Sequence, residues 1–308
     1  MLRIPKSMLR KGMYIEAVEC PTTEFSLRRF LLQSDEVLRS ILNSSASHLL
    51  VNCARSTVKI DSLGGRPDLA DPDRPDPSVK IADRVAVRQE VSKATEALRE
   101  EFRLIISGRV DLNRLGPTAM EIGASLEASP DIFLEVTRLK SKDEGTYVHS
   151  LAVSALMTHL GRLLELDAKT IEALGIGGLI HDVGKIHVPN AVLRKQGPLT
   201  PGEMKAIRSH PESGFRFLKE HGEQSQIVLD ICRHHHEMLD GSGYPAGLAG
   251  DQLSLPIRIC TVCDVFDALT SPRPYKHAWT KSDALAWMYE QGHLFDRTLV
   301  IRLSSIFE

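Results

Sequence analysis

The stretch IEALGIGGLIHDVGK, residues 171–185, begins as an apolar helical pattern and turns polar at His181 and Asp182. The chain around it, from about Leu115 to the end, consists of helical patterns divided by short loops, with one long loop at roughly residues 237–255. No segment in this region shows the alternation of a half-buried strand. We therefore predict a mainly α fold, a helical bundle with an inserted functional loop.

Histidines and aspartates recur through this helical region in separate short motifs. The candidate metal ligands are His149, His181, Asp182, His210, His235, His236 and Asp264. Five imidazoles and two carboxylates are too many for one tetrahedral metal and about enough for two, and this mixture suits iron, manganese or zinc. Two metals about 3.5–4 Å apart commonly cleave phosphate esters. The sequence therefore predicts a metal-dependent phosphohydrolase.

The pair His181-Asp182 is the centre of this prediction. Adjacent residues on a helix differ in direction by about 100°. A metal at the end of the helix can therefore take His181 on one side while Asp182 bridges towards a second metal. Lys185 lies three residues beyond Asp182, on nearly the same face. We predict Asp182 and Lys185 as catalytic residues, with the lysine bonding a phosphate oxygen or protonating a leaving alkoxide.

The remaining histidine ligands are chosen from their surroundings. His149 stands alone in a helical pattern, and His210 lies at a predicted helix start where its ring can be held rigidly. His235 and His236 precede a loop, and both can reach one metal if the helix ends there. His234 leaves the register of this run open by one residue. The other histidines are expected to have ordinary core or surface roles.

Two further pairs lie on the predicted helix IRICTVCDVFDAL. Asp264 and Asp267 are three residues apart and share a face, so we predict Asp264 as a ligand and Asp267 as the partner that orients a histidine. Cys260 and Cys263 form a CxxC motif. A structural zinc site would need two more ligands at similar spacing, so we expect both cysteines to be small core residues.

The loop DGSGYP, residues 240–245, and the segment SPRPYK after it contain candidate substrate-binding residues. Gly243 permits a tight turn, Pro245 fixes the exit of the loop, and Tyr244 can stack on a ligand or hydrogen-bond to it. The alternative is a purely structural turn. Arg273 and Lys276 near a dimetal site fit phosphate recognition, and solvated surface charge is the alternative for this pair.

The amino-terminal part has a different pattern and predicts a separate small α+β domain, residues 1–78. HLLVNCA and STVKI are expected to form short strands, and Ser34 opens a short helix. Residues 61–78 are rich in proline, glycine and aspartate and predict a linker. Residues 79–114 predict a connecting helix that forms a dimer contact or, alternatively, packs on its own domain. The functional domain is then residues 115–308.

Composition restricts the partners and the compartment. The formal net charge is −2, which gives no basic surface for duplex nucleic acid. No run reaches the roughly 18 apolar residues of a membrane span, and the start lacks the features of a signal peptide. The chain has five cysteines, an odd and low number that suits a reducing compartment. We therefore predict a cytoplasmic protein.

The motifs together resemble the HD-GYP family of metal-dependent phosphohydrolases. The matching pieces are HS at 149–150, HDVGK at 181–185, HP at 210–211, HHE at 235–237, DGSGYP at 240–245 and DVFDALTSPRPYK at 264–276. They occur in the family's order and at its spacing. The amino-terminal RIPKSMLRKGMYI also resembles a small domain of unassigned function that is often found before HD-GYP domains.

The resemblance implies an HD-type bundle that hydrolyses cyclic di-GMP, with either pGpG or GMP as the final product, and two divalent metals, iron or manganese, held by the seven ligands above. It also implies phosphate contacts from Arg273 and Lys276. Some family members hold a third metal through a glutamate at the position of Gly145, so we expect two metals here. Our hypothesis for the nucleophile is a metal-bridging hydroxide. The alternative is a non-hydrolytic cyclic di-GMP sensor or interaction module, whose partner through the GYP loop could be a diguanylate cyclase. A homodimer fits either interpretation.

Overall fold

The computed structural model of the 308-residue chain describes residues 2–6, 9–18, 30–44, 46, 48–52, 55–58, 77–138, 145–195, 197–271 and 278–307. It divides into two compact units. The first contains the N-terminal residues together with Thr280–Trp287, and the second contains Asp76–Trp279 with Met288–Phe307. Within the described residues, no helix combines the length and the apolar character needed to cross a membrane.

The N-terminal unit contains a four-stranded antiparallel sheet with one helix. Its elements in chain order are β1 (Leu2–Pro5), β2 (Tyr14–Val18), β3 (Phe30–Leu31), α1 (Asp35–Asn43) and β4 (His48–Val51), and the strands lie in the order β1-β4-β2-β3. Ser34 caps α1, as predicted, because its hydroxyl accepts hydrogen bonds from the backbone N–H groups of Glu36 and Val37. The core consists of Ile4, Leu9, Met13, Ile15, Leu32, Ile41, Leu49 and Val51.

One predicted strand of this unit is wrong. HLLVNCA does contain β4, but the described residues of STVKI, Ser56, Thr57 and Val58, form no strand, and Thr57 and Val58 form a bend. Ser56 N–H donates to the carbonyl of Asn52 in a tight turn, and Ser56 Oγ accepts from Tyr14 N–H at 2.9 Å. Thr57 N–H donates to the carbonyl of Gly12 at 2.7 Å, so one backbone bond to a distant residue, together with turn and side-chain bonds, takes the place of a strand ladder. Residues 59–76, which include most of the predicted linker, lie outside the described residues.

The rest of the described chain is helical, and the mainly α prediction is confirmed. Its helices are α2 (Pro77–Ile106), α3 (Gly116–Ala128), α4 (Pro130–Arg138), α5 (Gly145–Leu163), α6 (Ala168–Ile180), α7 (Asn190–Leu193), α8 (Pro201–Arg208), α9 (His210–Glu220), α10 (Gln226–His234), α11 (Leu255–Thr270), α12 (Lys281–Glu290) and α13 (Arg297–Ser304). The one long loop falls between α10 and α11, where the sequence predicts it.

Helices α5 and α6 form the centre of the helical unit. Helix α5 also contacts α3 and α11. The two central helices approach closely because α6 has glycines on the shared face: a Cβ on Gly178 would lie 2.6 Å from Ser154 Cα. Ser154 Oγ also donates to the carbonyl of Gly175 at 2.7 Å. This close packing brings His149 of α5 beside His181 at the end of α6, with ring centroids 5.3 Å apart.

Helix α2 is part of the helical unit rather than separate from it. It packs on α3, α4 and α5. Its buried face includes Val91, Leu98, Phe102 and Ile105, and Phe102 contacts Tyr147 edge to face at 5.5 Å. The helix ends at Ile106, and a short 3-10 helix, Leu112–Leu115, leads into α3. Helix α2 therefore packs on its own domain, which was the alternative to a dimer contact in the sequence analysis.

Candidate metal centre

Five of the seven predicted ligands lie at the ends of helices in the helical unit. His181 directly follows the last residue of α6, and Asp182 comes next, just before the 3-10 helix Val183–His187. His210 begins α9. His235 ends α10 and His236 comes next, while His149 and Asp264 lie within α5 and α11. Helix ends hold side chains rigidly while leaving their polar atoms outside the helix, so they can converge on one point.

The structure brings all seven predicted ligands into two adjoining groups. Asp182, His210, His235 and His236 form the first group, and His149, His181 and Asp264 form the second. Within each group, one ligand atom of every residue lies within 4.8 Å of the others. His234 belongs to neither group, and its Nδ1 lies 3.7 Å from Glu237 Oε1 instead. The choice of His235 and His236 over His234 therefore agrees with the geometry.

Asp182 lies between the two groups. Its Oδ1 is 3.2 Å from His210 Nε2 and 3.7 Å from His235 Nε2, in the first group. Its Oδ2 is 3.5 Å from His181 Nε2, in the second group. Lys185 Nζ donates a hydrogen bond to the same Oδ2. The two oxygens of one carboxylate therefore face different ligand groups, which is the arrangement that a bridging ligand requires.

Hydrogen bonds at Nδ1 determine which nitrogen each ring presents to the centre. The Nδ1 of His181, His210 and His235 donates to the backbone carbonyls of Gly178, Ile207 and Ile231, at 2.8, 2.7 and 3.1 Å. A neutral ring that donates through Nδ1 has a free lone pair on Nε2. This is how metal-binding histidines are usually oriented.

The free nitrogens then converge in a way that calls for a cation. His210 Nε2 and His235 Nε2 lie 3.1 Å apart, and two neutral rings that both donate through Nδ1 would face each other with a lone pair on each. Within the described part of the chain, the buried His181 Nε2 has no hydrogen-bond partner. A buried polar atom without a partner is costly. A divalent metal in each group would satisfy these atoms, so the residues present fit two metal ions.

Burial keeps most of these imidazoles neutral. It lowers the pKa of His181, brings the pKa of His236 to about 4, and holds the pKa of His235 well below its usual value. Burial alone would raise the pKa of Asp182, but the charge of Lys185 and contacts with His181 and His210 outweigh it and lower that pKa strongly. His235 and His236 of the first group are therefore neutral and Asp182 is ionised, which are the protonation states that a metal binds.

His149 lies between two carboxylates of α11. Its Nε2 is 3.1 Å from Asp264 Oδ1, and its Nδ1 donates to Asp267 Oδ2 at 2.7 Å. Burial lowers the pKa of His149, but the bonds to the two aspartates outweigh it and raise the pKa to about 9. A metal at this group would therefore displace a proton from His149. Asp264 faces the ligand side of the ring and Asp267 the other side, as their predicted roles require.

Replacing Asp267 by asparagine is expected to weaken metal binding at the second group by about 10- to 100-fold, because orienting partners of metal-bound histidines have effects of this size. The neutral amide retains the shape of the side chain but loses the charge that supports His149. Metal bound per chain, measured at limiting metal, checks the expectation. Asp251→Asn, in an exposed part of the long loop, is the matched control. Equal metal affinity in both variants would contradict the predicted role of Asp267.

The GYP loop is fixed against the first ligand group. A Cβ on Gly243 would lie 2.5 Å from both the carbonyl oxygen of His236 and the amide nitrogen of Met238, so only glycine fits there. Tyr244 stacks on His236 with ring centroids 4.7 Å apart. The peptide bond between Tyr244 and Pro245 is cis. The loop therefore places an aromatic ring directly on a candidate metal ligand.

Two residues of this site were missed by the sequence analysis. Glu237 is fully buried and accepts hydrogen bonds from the backbone N–H groups of Ala246 and Leu248, so it holds the loop in place. Its position directly after the histidine run was the available signal. Arg208, at the end of α8, lies over the ring of Tyr244 with its Cζ 5.1 Å from the centroid. No motif in the sequence marks it.

Other predicted residues have simpler outcomes. Cys260 and Cys263 are buried free thiols, as is Cys232, and burial raises the pKa of each. They are core residues, as predicted. The candidate phosphate-binding residues Arg273 and Lys276 lie outside the described residues. The ligand groups found in the described part of the chain include none of the remaining histidines.

A helical bundle that gathers histidines and aspartates into two adjoining ligand groups defines a metal-dependent hydrolase of the HD class. The family described as HD domain matches residues 129–299. A cyclic di-GMP phosphodiesterase of Pseudomonas aeruginosa is 36% identical over 96% of this chain and 73% of its own length. The chain belongs to the HD-GYP branch of the HD domain family. A family described as a domain of unknown function, DUF3391, matches residues 1–138.

Further comparisons include two relatives that match about half of the chain and one solved structure with a similar fold. A cyclic di-GMP phosphodiesterase response regulator of Xanthomonas campestris is 41% identical over 51% of this chain and 42% of its own length. A 3′3′-cGAMP-specific phosphodiesterase of Vibrio cholerae is 39% identical over 47% of this chain and 33% of its own length. The fold resembles that of an HD-GYP protein from Bdellovibrio bacteriovorus, with a TM-score of 0.58, 16% identity and coverage of 99% and 98% of the two chains.

Proposed function

We propose that the chain is a cyclic di-GMP phosphodiesterase that opens the cyclic dinucleotide to pGpG and cleaves this further to GMP. The observation that carries the proposal is the position of Asp182 between the two ligand groups. The Pseudomonas relative, which matches nearly the whole chain, is named for this activity. The ligand set of histidines and aspartates favours iron or manganese, both of which accept mixed imidazole and carboxylate ligands.

Each side chain has a separate role in the proposed reaction. Two divalent ions, when bound, supply the activated water and neutralise charge on the phosphate. Asp182 joins the two ligand groups, and Asp267 orients His149. Lys185 Nζ lies on Asp182 and is about one-third exposed, so it can donate a proton to the leaving ribose 3′-oxygen. Tyr244 covers His236 and offers a ring surface beside the reacting phosphate.

Several further assignments belong to the same proposal. Arg273 and Lys276 would contact a phosphate of the substrate, in keeping with the family resemblance. Residues 1–78 would form a regulatory or dimer-forming domain, residues 79–114 would connect it, and residues 115–308 would perform catalysis. The two compact units of the structure are compatible with a separate N-terminal part.

A second cyclic dinucleotide is a specific alternative substrate. Relatives from Vibrio cholerae named as 3′3′-cGAMP-specific phosphodiesterases are 35–39% identical over about half of this chain. The second alternative is a sensor that binds cyclic di-GMP without cleaving it. Both alternatives retain the metal centre, so they differ from the main proposal in substrate or in turnover only.

The test is anaerobic purification with iron or manganese, followed by metal counting and by chromatography of products from cyclic di-GMP and 3′3′-cGAMP. We expect about two metals per chain and formation of pGpG or GMP, and we expect a strong chelator to abolish turnover until metal is restored. Faster cleavage of 3′3′-cGAMP than of cyclic di-GMP would make 3′3′-cGAMP the substrate instead. Bound but uncleaved cyclic di-GMP in the metal-loaded protein would establish the sensor alternative.

A further inference from the structure

Access to the metal centre is uneven. The side chains of His210 and His235 are at most 1% exposed and that of Asp182 is 3% exposed, whereas that of His236 is 25% exposed. Among its ligands, the first group is therefore most accessible on the side of His236. Tyr244 lies on this side, stacked on His236.

Arg208 contacts the same tyrosine and is exposed. Its guanidinium lies over the Tyr244 ring, which itself stacks on His236, so Tyr244 links Arg208 to a candidate metal ligand. A guanidinium held by its face against an aromatic ring still has its in-plane N–H donors free. These donors match the oxygens of a phosphate in a bidentate arrangement.

The charge of Arg208 is not committed to another protein group. Two other cations of the helical unit are paired: Lys195 with Glu203 at 2.6 Å, and Arg233 with Glu212 at 2.8 Å. Arg208 is exposed and forms no ion pair within the described part of the chain. Lys185, beside the first ligand group, is bound to Asp182. Arg208 is therefore available for an external anion.

We propose that Arg208 is a substrate-binding residue that holds the second, uncleaved phosphate of the cyclic dinucleotide. This inference rests on the proposed function of the same site. A cyclic dinucleotide has two phosphodiesters in one ring, and when one of them occupies the ligand groups the other must lie beside them. Arg208, over the Tyr244 ring that packs on the more exposed His236, provides a cation for this second phosphate.

The experiment compares two diesters in the metal-loaded full chain. Cyclic di-GMP has a second phosphate, and bis(p-nitrophenyl) phosphate has one only. For Arg208→Gln we expect the ratio of kcat/KM for cyclic di-GMP to that for the small diester to fall about tenfold, mostly through KM, because a charge-assisted hydrogen bond is lost. The ratio for Arg208→Lys should lie between those of the wild type and Arg208→Gln, because lysine keeps the charge but lacks the paired N–H donors of the guanidinium. Lys205→Gln removes a charge from the same helix and should leave the ratio unchanged.

Three results would overturn the assignment. Equal losses on both diesters would mean that Arg208 only supports Tyr244 and His236. No loss on either would mean that it contacts no substrate. Cyclic di-GMP and cyclic di-AMP can also be compared as inhibitors of small-diester cleavage. If Arg208 contacts a phosphate, Arg208→Gln should weaken inhibition by both dinucleotides equally. A loss confined to cyclic di-GMP would instead indicate a contact with the guanine base.

The same assays separate this inference from the proposed function. If the wild-type chain cleaves the small diester but not cyclic di-GMP, the proposed function fails. Inhibition of the small-diester reaction by cyclic di-GMP then tests Arg208 alone: inhibition about tenfold weaker in Arg208→Gln supports the phosphate contact, and unchanged inhibition overturns it. If the wild-type chain cleaves neither diester, equilibrium dialysis with cyclic di-GMP gives the same comparison with the same two outcomes.

Discussion

Asp182→Ala is expected to reduce turnover of cyclic di-GMP by at least about a thousandfold, which corresponds to roughly 4 kcal/mol of transition-state stabilisation. The reason is the position of Asp182, whose two oxygens face His210 on one side and His181 on the other. Without this carboxylate the two ligand groups lose their shared member, and each would bind its metal less tightly. Metal content should therefore fall together with activity.

The fold should survive this substitution. Asp182 lies at a helix end, and its partner Lys185 is about one-third exposed, so water can solvate the released ammonium group. We expect an unchanged far-UV circular dichroism spectrum and a cooperative thermal transition. Asp251→Ala, an exposed carboxylate of the long loop, is the control and should keep full activity. Wild-type turnover with a full complement of metal in Asp182→Ala would refute the shared-carboxylate mechanism.

Gly184→Ala is expected to destabilise the chain by about 3 kcal/mol or more, because the new methyl group has no space. Gly184 lies where the backbone of the 3-10 helix after Asp182 meets the backbone of α9. A Cβ there would overlap the carbonyl oxygen of His210 and would lie 2.6 Å from the amide nitrogen of Gly214. Both neighbours are main-chain atoms, so relief requires α9 to move.

The consequence extends to the metal centre, since α9 begins with the ligand His210. We expect the unfolding temperature to fall by roughly 6–12 °C and metal at the first group to be lost with it. Gly202→Ala is the matched control: nothing lies within 4 Å of a Cβ at that helical position, and alanine favours helix by up to about 1 kcal/mol. Equal unfolding temperatures for the two variants would show that the backbone around Gly184 can move to accommodate the methyl group at little cost in stability.

The local sequence predicted those parts of the fold that depend on nearby residues. Ser34 marked the start of α1, and the apolar run before His181 marked α6 and its end. Hydrogen bonds within one turn and the periodicity of apolar residues determine such features, so they are visible in a short window. STVKI was read wrongly because β-branched residues favour a strand only when a partner strand is present, and here a turn at Asn52 redirects the chain.

The candidate ligands were visible because histidine and aspartate occur in recognisable pairs, such as His181-Asp182 and His235-His236. Their division into two groups was not visible. It depends on how five helices and their ends meet, and residues more than a hundred positions apart, such as His149 and Asp267, form direct contacts. Spacing along the chain does not contain this information.

By itself, the sequence determined that this protein is mainly helical, that it belongs with metal-dependent hydrolases, and which side chains are candidate ligands. The tertiary structure decided which oxygen of Asp182 faces which ligand group, that Glu237 anchors the GYP loop, and that Arg208 lies over Tyr244. The physical reason is range: helix formation depends on neighbours a few residues away, whereas a metal centre and its entrance depend on close packing between distant segments.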